Sequence, residues 1–167
     1  MPSSRSFTLL RSLAFATFVG LVATSSQAEG RFAISADGQQ VTDTTTRLTW
    51  RRCVEGMQWD GKTCAGKPLK LDFAAAKRHA KGAGSEGGSA WRLPTRNELV
   101  ALIDRNAKTK PRIDTAAFPK TPSILQWASR PGMDDNLNAW LVSFQNGRVT
   151  GNVGESKFAL RLVRDGG

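Results

Sequence analysis

Past its first thirty residues the chain alternates short apolar runs with polar turns, and each run has room for a strand or a short helix only. Residues 32–50 predict short strands around turns. Asp37-Gly38 is a turn signal, and the stretch 42–49 (TDTTTRLT) is rich in strand-favouring threonine. Asp72 can cap a helix from Phe73 to about Lys81 that Gly82 ends, and residues 82–89 (GAGSEGGS) then read as a flexible loop. Thr95-Arg96-Asn97-Glu98 is a capping box: the Thr95 hydroxyl accepts from the Glu98 N–H, and the Glu98 carboxylate reaches back to the Thr95 N–H. Leu99, Leu102 and Ile103 follow at helical spacing, which predicts a helix over 96–104. Pro94 discourages an earlier start, so Trp91-Arg92-Leu93 should approach it extended.

The last third predicts antiparallel strands over 124–128, 139–144, 148–153 and 158–164. Asn146-Gly147 is a type I′ hairpin signal, since both central residues of that turn need positive φ. In the fourth strand Phe158, Leu160 and Leu162 alternate with Ala159, Arg161 and Val163. Two early helices and several late hairpin strands predict an α+β domain.

The N-terminus changes the picture. Arg5 and Arg11 precede an apolar run over 13–23, and Ser26-Gln27-Ala28 places small residues at a cleavage site. The run is too short for a spanning helix, which needs roughly 20 residues, so residues 1–28 read as a secretory signal removed near Ala28. Residues 29–167 are then a single periplasmic or secreted domain, with no membrane span in the mature chain. In an oxidising compartment Cys53 and Cys64 are expected to form a disulfide around Trp59 and Asp60-Gly61. Their spacing is unlike that of a redox-active Cys-x-x-Cys pair.

Charge and chemistry narrow the function classes. The 167 residues carry 24 Lys+Arg against 14 Asp+Glu, a formal net charge of +10, and the leader accounts for two of those charges. Two cysteines and one histidine cannot build the usual four-ligand zinc site.

Several separated elements resemble the Lcl C-terminal domain family. WRLPTRNEL over 91–99 is similar to its signature. So are Val41-Thr42-Asp43 with Leu48-Thr49-Trp50, the 53–66 loop, and Ile113-Asp114 with Phe118-Pro119. Trp127-Ala128-Ser129 stands where the family has Trp-Ser-Ser, and Ala139-Trp140 to Asn146-Gly147 and Leu160 to Arg164 resemble its closing hairpin and end. The resemblance implies a C-type lectin-like fold: two short helices on a small, mostly antiparallel sheet with long loops. The family's namesake is a bacterial adhesin whose corresponding domain binds sulfated glycosaminoglycans, which implies glycan binding and adhesion. The collagen-like repeats that precede the domain in the namesake are absent from this sequence.

Candidate sites follow from charge. Lys77, Arg78 and Lys81 lie on the first predicted helix, with Lys77 and Lys81 on one face. Arg105, Lys108, Lys110 and Arg112 form a second group without an acid. Either group can hold sulfates or phosphates, or simply be a solvated face. Trp59 and Trp127 are candidates to stack on sugar rings, or core residues. Trp91, Leu93, Leu99 and Trp140 read as core. Arg92 is either solvent-facing or paired with an acid such as Glu98. Asp134, Asp135 and Asn136 are weak calcium candidates, and an ordinary polar turn is the simpler reading, so no cofactor is expected. His79, the only imidazole, sits in a basic helix with no obvious acidic orienter, and no catalytic constellation emerges. The expectation is an exported non-enzymatic module that binds an anionic polysaccharide. The alternative is a module for an acidic envelope protein, as an inhibitor or in assembly. Export argues against nucleic acid.

Overall fold

A computed structural model describes residues 30–86, 88–130, 139–152 and 156–166. The elements run β1 (Phe32–Ile34), β2 (Gln40–Asp43), β3 (Leu48–Arg51), β4 (Met57–Trp59), β5 (Cys64–Gly66), α1 (Phe73–Gly82), β6 (Ser85–Glu86), β7 (Ser89–Ala90), α2 (Arg96–Ala101), β8 (Leu125–Ala128), β9 (Ala139–Ser143), β10 (Val149–Asn152) and β11 (Val163–Asp165). They form an α+β domain with a four-stranded sheet ordered β1-β2-β3-β11 and a three-stranded sheet ordered β10-β9-β8. Every paired strand in both sheets is antiparallel.

Strands β8 and β9 of the three-stranded sheet are buried on both faces, and this organises the molecule. Ala139 and Leu141 of β9 and Trp127 of β8 point into one core with Phe73, Ala76 and Ala80 of α1. Their neighbours Val142 and Ala128 point into a second core with Leu99 of α2, Leu102, Ile113 and Val41, Trp50 and Val163 of the four-stranded sheet. Period-two alternation thus separates two apolar sets rather than apolar from polar.

Local signals place both helices. The Asp72 carboxylate accepts from the Ala75 N–H at 2.7 Å, and α1 runs one residue past the predicted end. Both bonds of the Thr95–Glu98 capping box form, at 3.3 and 2.7 Å. α2 stops at Ala101, short of the predicted 104, because Leu102 and Ile103 turn with i→i+3 bonds into the second core. Arg92 is paired, as one reading allowed: it bridges both Glu98 oxygens at 2.8 and 2.9 Å and reaches Asp165 at 2.8 Å.

Three expectations are corrected. Residues 82–89 are not simply a flexible loop, because β6 and β7 pair there in register, with Gly84 and Gly88 at positive φ. The 146–147 turn is not type I′. Only Gly147 has positive φ, and residues 144–147 make a longer connection because Phe144 drops fully into the core. The fourth strand does not extend the hairpins. Phe158 and Ala159 make single bridges to Leu71 and Gln126, and the chain then crosses to pair Val163–Asp165 with β3. No face of 159–163 meets solvent, so Arg161 is as buried as Leu160 and Leu162. The predicted strand end at Val153 lies outside the described residues.

Buried cations tie the loops to this frame. Arg161 is 0% exposed and has no carboxylate partner among the described residues. Its guanidinium donates to the Arg51 and Arg52 carbonyls and to Thr121 Oγ1, and lies 4.8 Å from the Phe118 ring. Burial pushes it down to about 9. Arg52 likewise donates to the carbonyls of Ala117, Gly38 and Ala116. The Cys53–Cys64 disulfide then closes the β4–β5 hairpin.

One buried and one half-buried carboxylate, Asp43 and Glu98, give the fold an acid sensitivity. Burial alone would raise Glu98, but Arg92 and the Thr95 N–H more than offset it. Burial would also raise Asp43, and Arg31 and the Thr45 N–H outweigh it. Both folded values therefore lie below the unfolded ones, which are about 4. Their stabilisation is complete above that value and is lost as pH falls through the folded values. Urea midpoints measured from about pH 6 down to about pH 2 should fall, and Glu98→Gln should flatten part of the slope. An unchanged slope in that variant would show that the Arg92 pair contributes nothing.

Candidate functional site

Helix α1 lays Ala76 and Ala80 on the first core, which turns Lys77 to its margin and Lys81 outward. Beside it, the extended segment before the Thr95 cap runs across the ends of the sheet. Arg92 bridges to Val163, and Thr95 bridges in parallel to Ser129. Between helix and segment lies a cavity of about 320 Å³ lined by Lys77, Ala80, Lys81, Trp91, Leu93 and Ser129, with Ala90 and Arg92 beside them. Its floor is apolar and its rim basic. The Lys77 ammonium sits 5.5 Å from the Phe73 ring. Arg92 is committed to Glu98 and Asp165, so its charge is already balanced by carboxylates.

The other basic group does not join this groove. Arg105, Lys108 and Lys110 are exposed and Arg112 is half-buried, its N–H donating to the Phe144 carbonyl. The flanking Leu102 and Ile113 belong to the second core, and α1 packs on the first. The two groups thus lie on opposite faces of the three-stranded sheet. Arg78 is exposed on α1 and does not line the groove.

Neither tryptophan candidate offers a bare ring. Trp127 is a core residue, 0% exposed, with its N–H donating to the Leu71 carbonyl at 2.7 Å and its ring between Phe73 and Phe158. This burial corrects the stacking reading for Trp127. Trp59 is half-buried, with the Arg52 guanidinium 3.8 Å from its ring centre. Its indole lies so close to Gly38 that a Cβ there would come within 2.4 Å of Nε1. Trp59 does border a separate cavity of about 480 Å³ with Gln39, Arg51, Glu55 and Gln58.

Two further residues differ from their sequence reading. His79 does have an acidic partner: Glu55, remote in sequence, meets Nε2 at 2.7 Å. The pair joins α1 to the loop before β4. Trp140, expected in the core, packs against the second core but is only half-buried, and the guanidinium groups of Arg96 and Arg130 lie 5.2 and 5.8 Å from its ring. Its position at the start of β9 was the available signal. The calcium candidates Asp134, Asp135 and Asn136 lie outside the described residues. Among the described residues no group of three His, Cys, Asp or Glu side chains can hold a metal ion.

The fold and groove define a small α+β domain with one disulfide and a lysine-rimmed surface cleft. The chain matches the Lcl C-terminal domain over residues 39–164, most of its length, and belongs to that family. No curated protein and no solved structure matches it. No helix among the described residues is long and apolar enough to cross a membrane.

Proposed function

We propose that this chain is an exported, non-enzymatic binding domain with a C-type lectin-like fold that holds an anionic glycan or envelope polymer in the α1 groove. The carrying observation is the groove itself, where Lys77 and Lys81 rim an apolar floor of Ala80, Trp91 and Leu93. An apolar floor suits the carbon face of a sugar ring, and ammonium groups at its edge suit sulfate or carboxylate substituents. The disulfide fits an oxidising compartment, as export by a leader over residues 1–28 requires. The Arg105–Arg112 bases serve as a separate charged face that adds attraction without forming part of the cleft.

A heparin column tests this reading. The protein should be retained at low salt and released as salt screens the contacts, near the range where the Debye length falls to about 8 Å. Lys77→Gln/Lys81→Gln should weaken retention about tenfold. Arg105→Gln/Lys108→Gln should shift it far less. Absence of retention at low salt would sink the glycan reading, and one stoichiometric partner captured from envelope extract would favour the acidic-protein alternative.

A further inference from the structure

Resting on that reading, we infer that the polyanion path continues out of the α1 groove to a second anchor, Arg96 and Arg130 held against Trp140. The two places share one ridge. Leu93 and Ser129 line the groove, and Arg96 and Arg130 follow them closely in sequence on the same two segments. The ridge is fixed by the Thr95–Ser129 bridge and by the Ser129 N–H and hydroxyl, which donate to the Pro94 carbonyl at 2.7 and 3.2 Å. From Leu93 to Arg96 the chain spans at most about 10 Å, so an extended polymer lying in the groove reaches both anchors.

The second anchor is built to hold oxyanions. Arg96 and Arg130 are exposed, and neither is ion-paired with a carboxylate among the described residues. One bond of Arg96, to Asn97 Oδ1 at 3.2 Å, leaves most of its donors available. Arg31 and Arg92, by contrast, are taken up by carboxylates, and Arg52 and Arg161 by carbonyls. An indole beside a guanidinium restrains its rotamers without using its N–H groups. Part of the ordering that binding demands is therefore already in place. The arginine fork also matches sulfate or carboxylate oxygens two at a time, which a lysine cannot do.

Among the described residues, no side chain stands against Trp140 at its register position in β10. Its register partners are Ala128 in β8 and Gly151 in β10. A Cβ on Gly151 would meet nothing within 4 Å among the described residues. A sugar residue approaching the indole from the β10 side therefore meets no side chain at that position. Groove and anchor face opposite sides of the sheet end, so the polymer crosses over the ridge rather than lying flat on one surface.

Equilibrium titrations with fluorescein-labelled dextran sulfate and polygalacturonate test the second anchor, and whichever polymer responds identifies the group it reads. Arg96→Gln/Arg130→Gln should weaken binding about tenfold. Trp140→Leu, which changes no charge, should weaken it about threefold, a loss that net charge alone does not produce. Arg47→Gln/Arg148→Gln, an equal change of charge at exposed sites elsewhere, should leave it within about twofold. If Arg96→Gln/Arg130→Gln behaves like that control while Lys77→Gln/Lys81→Gln still loses binding, the second anchor is overturned and the groove stands. If the wild-type protein binds neither polymer at low salt, both fall.

Discussion

Arg161→Ala is expected to lower the unfolding free energy by about 3–5 kcal/mol, the largest loss from any single side chain discussed above. The guanidinium is fully buried and bonds the Arg51 and Arg52 carbonyls and the Thr121 hydroxyl. Alanine leaves those acceptors without their donor and opens a cavity beside Phe118. Arg161→Met separates the two contributions. It refills much of the volume but leaves the carbonyls unpaired, so it should recover only part of the loss. Arg161→Lys should also fall short, because one ammonium cannot span acceptors that a planar fork reaches together. Urea unfolding of the three variants would decide the matter. Wild-type stability in Arg161→Met would show that the carbonyls need no donor from residue 161.

Cys53→Ser/Cys64→Ser should cost about 3 kcal/mol, the loop-closure entropy for residues this far apart in sequence. Among the described residues the hairpin inside that loop pairs only β4 with β5, a two-stranded unit that is marginal by itself. Its Trp59 rests on Arg52, and Arg52 in turn holds the 116–117 carbonyls. Loosening of the hairpin should therefore reach the second core. Urea curves with and without reductant provide the measurement, and coincident curves would show that the Arg52 contacts alone fix the hairpin.

What could be read from the residues depended on range. The Asp72 cap, the capping box and the Arg92–Glu98 pair lie within a few residues, so side-chain type and spacing suffice to place them. The disulfide was legible because only two cysteines exist. The path of residues 158–165 was not legible in this way. Its alternation resembles an edge strand with one wet face, yet the chain runs between two cores and joins β3 in the other sheet. The different burial of two tryptophans has the same origin. With both faces of β8 and β9 covered, Trp127 is shut in, while Trp140 packs on the second core where the sheet ends and stays half-buried. Charge clusters could be counted from the sequence, but which side of the sheet each occupies follows from packing.

The four-stranded sheet has a consequence for how the domain can be joined to other chains. Phe32 is opposite Asp43, Asp43 opposite Leu48, and Leu48 opposite Asp165. The first and last strands thus begin and finish in one row of the sheet, three strand spacings or roughly 15 Å apart. About five extended residues would bridge that gap. The architecture therefore lends itself to circular permutation, and to grafting into a surface loop of a carrier protein, with the sheet-end cleft left uncut.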